Sequence, residues 1–408
     1  MKSPFTGMFR SLRNVNYRIW FIGALISNSG TWIQRTAQDW LVLTELTKHD
    51  ASALGWVMAC QYGPQILLLP WTGSAADYFN KRKLLMVTQL TMGSLSLLLG
   101  VLTLTGLITL WQVYVFAVLF GSAAAFDAPA RHSFVGEVVN EEDLHNAVAL
   151  NSTSFNSARM IGPAISGLII AATNTGWAFV INGVSFLAVL VSLFFLRVSE
   201  LNSGTDDKRV KGSFSEGLRY MWQRPDLKAI LLMLLLVATF GLNFPIFIST
   251  MAVSEFHSSA QGYGLLMSFM AIGTVSGALL SARRDKPRFT LLLSSAFAFG
   301  ISCFLASLAP NYWLFAAALV VTGISALTFT NSVTSLIQLS TERRMRGRMM
   351  ALRVSIALGS SVVGGPLVGS VAHLFGPRWA LGIGAASGFA AAFVALYVLY
   401  REKQRQRV

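Results

Sequence analysis

Arg35 and Asp39 stand four residues apart inside an apolar stretch that runs from about residue 17 to residue 44. Side chains at that spacing share one face of a helix and can pair there. A charge at the centre of a bilayer costs about 2.5–3.5 kcal/mol on insertion scales, so ionised groups inside such a stretch are functional candidates. Asp39 is read as the only acid well inside an apolar run, which makes it the candidate proton carrier. A static ion pair with Arg35, or an interfacial carboxylate solvated from outside, is the competing reading. For Arg35 the pairing competes with contact to an anionic or carbonyl-bearing small molecule. Asn28, Gln34 and Gln38 on the same stretch are further candidate ligand contacts, as are Asn156, Arg159, Asn243 and Asn331 on later ones. Hydrogen bonding between helices is the alternative use of such side chains.

Other chemistries leave no trace. There is no Gly-x-x-x-x-Gly-Lys-[Ser/Thr] loop for a nucleotide, no Gly-x-Ser-x-Gly elbow and no His-Glu-x-x-His helix. His49, His132, His145, His257 and His373 lack metal-ligand spacing, and Cys60 and Cys303 lie singly in apolar runs. Asp127 and the acidic run Glu137, Glu141, Glu142 and Asp143 are expected in a solvated loop between the fourth and fifth apolar stretches. No enzyme activity, metal or cofactor is expected.

The elements that must hold the candidates are membrane spans. Of 408 residues 54% are apolar and 12% charged, half the charged share of an ordinary soluble domain. A spanning helix needs about 20 apolar residues. Apolar runs between polar punctuation place spans near 17–44, 52–77, 83–105, 109–131, 145–172 and 176–197, then near 226–250, 262–282, 289–309, 312–338, 348–373 and 377–400. This is an all-α membrane protein of twelve helices. The basic start is read as an uncleaved first span. With both termini in the cytoplasm, 27 of the 32 Lys and Arg residues fall on that side, as the positive-inside rule requires. The net charge of +14 is therefore topology and no footprint of nucleic acid.

The expected organisation is an N-terminal six-helix bundle over 1–198, a cytoplasmic linker over 199–225 and a C-terminal six-helix bundle over 226–408. Within the linker, Phe214, Leu218, Met221 and Trp222 recur at helical spacing, which fits a short amphipathic helix on the membrane surface. A loop that merely connects is the alternative. The halves echo one another: Gly162-Pro163 returns as Gly365-Pro366, and Asn146–Leu150 as Arg348–Leu352, at nearly the same offset. A duplicated six-helix unit suits a ligand site between repeats and alternating access.

Gly73, Asp77, Lys81 and Arg82 resemble motif A of the major facilitator superfamily, with Tyr78 and Asn80 in place of its usual arginine and glycine. The loop after the eighth span keeps basic residues (Arg283, Arg284, Lys286, Arg288) without an aspartate in register. Gly162, Pro163 and Gly167 resemble motif C of the drug and proton antiporters. The stretch from Phe126 through Gly167 resembles the branch with the enterobactin exporter and macrolide efflux proteins.

The resemblance implies the major facilitator fold, with spans 1, 4, 7 and 10 lining a cavity and spans 2, 5, 8 and 11 beside them. It implies gating by the motif A residues and a hinge at Gly162, Pro163 and Gly167. Arg353 then either snorkels to the cytoplasm or latches to Asp77. The implied activity is proton-coupled export of an amphipathic small molecule, a drug or siderophore-like metabolite, across a bacterial inner membrane by a monomer. Three intramembrane arginines against one acid favour an anionic or neutral polar substrate. A lipid or lysophospholipid flippase of the same fold and a proton-coupled metabolite importer are the alternatives.

Overall fold

The computed structural model describes residues 9–201, 214–282 and 289–405, with only the backbone of Gly73 and Asp77. Arg283, Arg284, Lys286 and Arg288 lie outside the described residues, as does the side chain of Asp77. The regular structure among the described residues is all helical, with no strand. In chain order the helices are α1 (Val15–Trp40), α2 (Ala51–Leu67), α3 (Leu69–Tyr78), α4 (Lys81–Leu104), α5 (Leu110–Val138), α6 (Glu141–Ala172) and α7 (Thr175–Phe195). Then follow α8 (Phe214–Gln223), α9 (Pro225–Phe240), α10 (Phe244–Thr250), α11 (Ala260–Ala282), α12 (Phe289–Ser307), α13 (Tyr312–Ser340), α14 (Arg346–Phe375) and α15 (Pro377–Arg405). Among the described residues ten stretches are long and apolar enough to cross a membrane, α9 and α10 counting together as Pro225–Glu255. Helix α1 and the α2–α3 pair fall outside those ten, and α1 carries Arg35, Asp39 and a run of polar side chains.

Two compact units form: Met1–Val42 with Gly63–Arg209, and Leu43–Tyr62 with Val210–Val408. The first half of α2 thus belongs with the C-terminal helices.

In the first unit α1 packs on α6 and α7, and α4 packs on α5 and α7. Asn14 caps α1 by accepting from the Tyr17 N–H at 3.1 Å. Tyr17, Trp20, Phe134 and Val189 form a buried cluster at that end. One stripe of α1 is small: Gly23, Ser27 and Gly30 recur at three- and four-residue steps. A Cβ on Gly30 would lie 2.6 Å from Asn182 Oδ1, so the stripe brings α1 and α7 together. Gln34 continues this stripe. Its Oε1 accepts from Asn182 Nδ2 at 2.7 Å and from the Ser96 hydroxyl, whose oxygen also accepts from Asn182 Nδ2 at 3.2 Å. The knot ties α1, α4 and α7.

In the second unit Leu234, Phe299, Phe329 and Ala391 belong to one buried cluster drawn from α9, α12, α13 and α15. The seventh apolar stretch is broken. Helix α9 ends at Phe240, residues 241–243 leave the helix, and α10 begins at Phe244 with Pro245 in its first turn. Gly364 of α14 lies directly on the Thr239 carbonyl beside this break. Helix α14 also meets the first half of α2, where Gly55 and Gly365 touch through their backbones and a Cβ on Gly369 would lie 3.2 Å from Ser52 Cα. Asp50, ahead of α2, pairs with His373 Nδ1 at 3.3 Å. Helix α8 docks by Met221, an ion pair of Glu216 with Arg348 at 2.8 Å and the Tyr220 hydroxyl, which accepts from the Glu342 N–H.

Both α1 and α10 run on into π-helical turns, Leu41–Leu46 and Met251–Glu255. Each is followed by a histidine with positive φ, His49 at 62° and His257 at 45°. The internal repeat therefore extends to the ends of these two stretches, where the residue types alone do not reveal it.

Replacing Gln34 by Leu leaves one Asn182 amide N–H short of an acceptor inside the helix packing, while Ser96 can still donate to the Phe179 carbonyl at 3.0 Å. Leaving a buried donor unsatisfied costs about 1–3 kcal/mol, so Q34L is expected to unfold at a lower temperature than wild type in detergent. An unchanged midpoint would show that the knot contributes nothing to stability.

Candidate functional site

Helix α1 presents two faces. Gln34 sits on the packed one, with Gly23 and Gly30. Asn28, Trp32, Arg35 and Asp39 follow one another at four-, three- and four-residue steps, so they share the other. Helix α6 runs beside this second face. Asn28 Nδ2 donates to Ser154 Oγ at 3.4 Å, and Phe155 meets the Trp32 ring edge-on with centroids 5.7 Å apart. Ser166 Oγ donates to the Ile33 carbonyl at 2.9 Å.

Gly162 makes the approach possible. A Cβ there would lie 2.6 Å from Trp32 Cβ, far inside van der Waals contact. Pro163 is accommodated within an unbroken α6, and Gly167 is buried one turn further on.

Two guanidinium groups converge on the Trp32 ring, Arg35 with its carbon 5.1 Å from the ring centre and Arg159 with its carbon 5.6 Å away. Cations are attracted to the negative face of an indole at this range. Arg35 forms no ion pair with any described residue: the pairing that its spacing to Asp39 permits is not made. The Arg35 Nε–H and the Trp32 Nε1–H are both buried and have no hydrogen-bond partner among the described residues. Two cations and two unused donors thus occupy one patch of the first unit. Asp39 is half-buried one turn beyond Arg35 and has a hydrogen-bonding or charged partner of its own.

The remaining candidates divide. Gln34 is committed to the knot with Asn182, and Gln38 is buried. Asn156, on α6, turns back to the Ser152 carbonyl at 2.8 Å. Asn243 lies at the break before α10, where its Nδ2 donates to the Thr239 carbonyl at 2.7 Å and its Oδ1 is buried without a donor. Asn331 is half-buried on α13. Of the motif A residues, Lys81 pairs with Glu137 of α5, and Arg82 donates from Nε to the Leu193 carbonyl at 2.7 Å at the end of α7. The Arg353 Nε is buried and without a hydrogen-bond partner on α14.

One expectation fails. Asp127 is not in a solvated loop: α5 continues through Pro129 to Val138, and Asp127 is only 6% exposed. It accepts from Thr88 Oγ1 at 2.9 Å, from Gln89 Nε2 at 2.6 Å and from Arg131 Nε at 3.0 Å. Arg131, also expected at a span end, lies over the Trp20 ring with its guanidinium carbon 5.6 Å from the ring centre. The sequence reading stops the span too early because Pro129 and two charges look like punctuation. Membrane helices tolerate proline when neighbours satisfy the freed backbone groups. The signal that could have placed Asp127 inside is its four-residue spacing to Arg131, the same criterion applied to Arg35 and Asp39. Asp39 is therefore not the only acid buried among the helices. Glu141, Glu142 and Asp143 form the first turn of α6, where carboxylates suit the positive end of the helix dipole. Among the described residues no group of acids, histidines and cysteines could hold a metal.

The family model described as transmembrane secretion effector matches residues 6–407. The chain belongs to that family. Its relatives place the transmembrane secretion effector family among major facilitator transporters. The chain is 26% identical over 290 residues to the staphyloferrin A transporter of Staphylococcus aureus, covering 70% of this chain and 72% of the relative. It is 27% identical over 372 residues to the multidrug efflux pump Tap of Mycolicibacterium fortuitum, covering 86% and 88%. Among solved structures, a bacterial homolog of the human lysosomal transporter Spinster superposes with a TM-score of 0.72 at 14% identity, covering 92% of this chain and 95% of the other. The nucleoside transporter NupG superposes with a TM-score of 0.71 at 12% identity, covering 94% and 99%. These superpositions establish the fold. The protein is a multi-pass membrane transporter of small molecules, and in bacteria such transporters reside in the inner membrane.

Breaking a buried ion pair costs about 3–5 kcal/mol because one charge is left unpaired, whereas replacing both partners is often close to neutral. Asp127→Leu is therefore expected to lower the thermal midpoint sharply, and the double variant D127L/R131M to recover most of the loss. Equal destabilisation by the single and double variants would mean that Asp127 and Arg131 are not coupled.

Proposed function

We propose that the protein is a proton-coupled exporter whose substrate is an amphipathic small molecule carrying an anionic group. The observation that carries this reading is the patch on α1 and α6, where Arg35 and Arg159 face one indole and Arg35 has no carboxylate partner among the described residues. An uncompensated arginine inside a membrane protein is expensive, and a charged ligand is one way to offset the cost. A guanidinium recognises carboxylate or phosphate by paired hydrogen bonds. The Trp32 and Phe155 rings beside it suit the apolar part of the same molecule.

The relatives are consistent with this chemistry. One is named for multidrug efflux and one for transport of staphyloferrin A. Drug or siderophore-like metabolites with an acidic group form the proposed class. Asp39, one turn from Arg35, is the proposed proton carrier, and Asn28 and Asn156 line the approach. Asn243, with its unused carbonyl oxygen at a helix break, is the proposed second contact, because broken helices in transporters commonly expose polar groups to cargo. Asn331 is assigned to the same role on α13. Gly73, Asp77, Lys81, Arg82 and Arg353 are proposed to gate, and Gly162, Pro163 and Gly167 to hinge. The proposed topology has twelve crossings, with α1 and the α2–α3 pair as the two polar ones and both termini in the cytoplasm.

Inside-out vesicles energised to an acid interior and loaded with a pH-reporting dye test the coupling. Addition of anionic amphiphiles is expected to release protons in wild type and not in Asp39→Asn. Release that persists in D39N would move the coupling group elsewhere. Silence towards every amphiphile, with lipid moving between leaflets, would favour the flippase.

A further inference from the structure

A pocket with a largely apolar lining and three charged residues opens where α9 begins and α15 ends, far along the chain from the α1–α6 patch. Its volume is about 510 Å3, and it is lined by Pro225, Asp226, Lys228, Leu232, Val394, Tyr397, Val398 and Arg401, with Ala229 at its back. Its polarity is graded. Lys228 and Arg401 stand at the rim. From Lys228 one turn of α9 leads to Leu232, and from Arg401 two turns of α15 lead back through Val398 to Val394. At 1.5 Å per residue these steps descend roughly 6 and 10 Å. The two cations therefore lie near the ends of α9 and α15, and the aliphatic side chains lie further along both helices.

The charge of the rim is positive. Asp226 is held by Arg224, which donates from Nε at 3.0 Å and from its terminal nitrogen at 2.7 Å. That hydrogen bonding raises the Arg224 pKa further. Lys228 and Arg401 form no ion pair with a described residue. Each is steadied by a ring instead: Lys228 Nζ lies 4.5 Å from the Trp222 ring centre, and the Arg401 guanidinium lies 4.9 Å from that of Tyr397. Trp222 is itself largely exposed on α8, at the depth where indoles favour the membrane interface. Two cations with a neutralised acid behind them, above a floor of branched aliphatic side chains, match an anionic headgroup with an acyl chain. They do not match a zwitterionic headgroup, whose ammonium would meet the same two cations.

We infer that the groove between α9 and α15 binds one anionic phospholipid, its phosphate held by Lys228 and Arg401 and its first acyl carbons on Leu232, Val394 and Val398. The inference stands apart from the transport reading. Placing that lipid in the inner leaflet would rest on the proposed cytoplasmic location of these helix ends. A lipid seated there would fasten α8, α9 and α15 to one another.

Native mass spectrometry of the purified, delipidated full chain tests this in detergent, independently of orientation and transport. Phosphatidylglycerol, phosphatidylethanolamine and inorganic phosphate are titrated separately. Wild type is expected to retain one phosphatidylglycerol in preference to phosphatidylethanolamine, and to retain no phosphate. A cation at a membrane surface is worth about five-fold in affinity for anionic lipid, so Lys228→Gln and Arg401→Gln should each weaken retention by roughly that factor. The charge-matched variant R343Q/R344Q should retain the lipid as wild type does, with thermal midpoints confirming that all variants are folded. Equal retention of the two lipids by wild type, or equal loss in R343Q/R344Q and K228Q/R401Q, would overturn the site. Phosphate bound as well as phosphatidylglycerol would overturn the lipid assignment.

Discussion

Inside a bilayer no water competes for a polar side chain, so each one in a membrane helix either finds a protein partner or is left as a demand on something else. That constraint sorts α1. Its stripe of small residues brings α7 close, and the polar group that falls on that stripe, Gln34, is consumed by Asn182 and Ser96. The opposite face meets α6 through Trp32, which leaves room only for the hydrogen of Gly162. What remains there is a pair of guanidinium groups on one indole, with the buried Arg35 Nε–H and Trp32 Nε1–H donors left without an acceptor among the described residues. The same helix thus holds the first unit together on one side and, on the other, carries the patch proposed to bind the substrate.

Charge elsewhere is handled differently. Asp127 accepts three hydrogen bonds, one of them from Arg131, and Trp20 covers that arginine. This cluster is closed apart from one Arg131 nitrogen and one Gln89 oxygen, which suits a structural brace between α4 and α5. The contrast between the Arg131 and Arg35 environments gives the functional reading its content. Both arginines lie over a tryptophan, but only Arg131 also has a carboxylate.

Fold class is legible in the sequence because it rests on bulk quantities: apolar content, run length and the one-sided distribution of lysine and arginine. The family is legible because Gly73, Asp77, Gly162 and Pro163 recur as motifs whose residue types and spacing stand directly in the sequence. The site is legible only in part. Arg35 and Arg159 are visible as charges, but their meeting on Trp32 depends on how α1 and α6 cross, which no local spacing encodes. Gln34 and Arg35 are neighbours with opposite fates, and the stripe through Gly23, Ser27 and Gly30 is the signal that separates them. Asp127 is misplaced because proline ends a soluble helix more reliably than a membrane helix. The break at residues 241–243 is signalled by Gly241 and Pro245, although hydropathy reads straight through it. Repetition is likewise uneven. Gly162 opens a contact with Trp32, while its counterpart Gly365 meets Gly55 and the neighbouring Gly364 meets Thr239.

The central claim is that Arg35 and Arg159 recognise an anion beside Trp32. Its most direct test is equilibrium binding of a carboxylate amphiphile and its methyl ester to the purified protein and to R35Q/R159Q. Losing a hydrogen bond to a charged group costs about 1.5–3 kcal/mol, which is roughly ten-fold or more in affinity. The account predicts that wild type prefers the acid by at least that factor and that the double variant binds acid and ester alike. A wild-type protein indifferent to the carboxylate, or a double variant that keeps the preference, would contradict it.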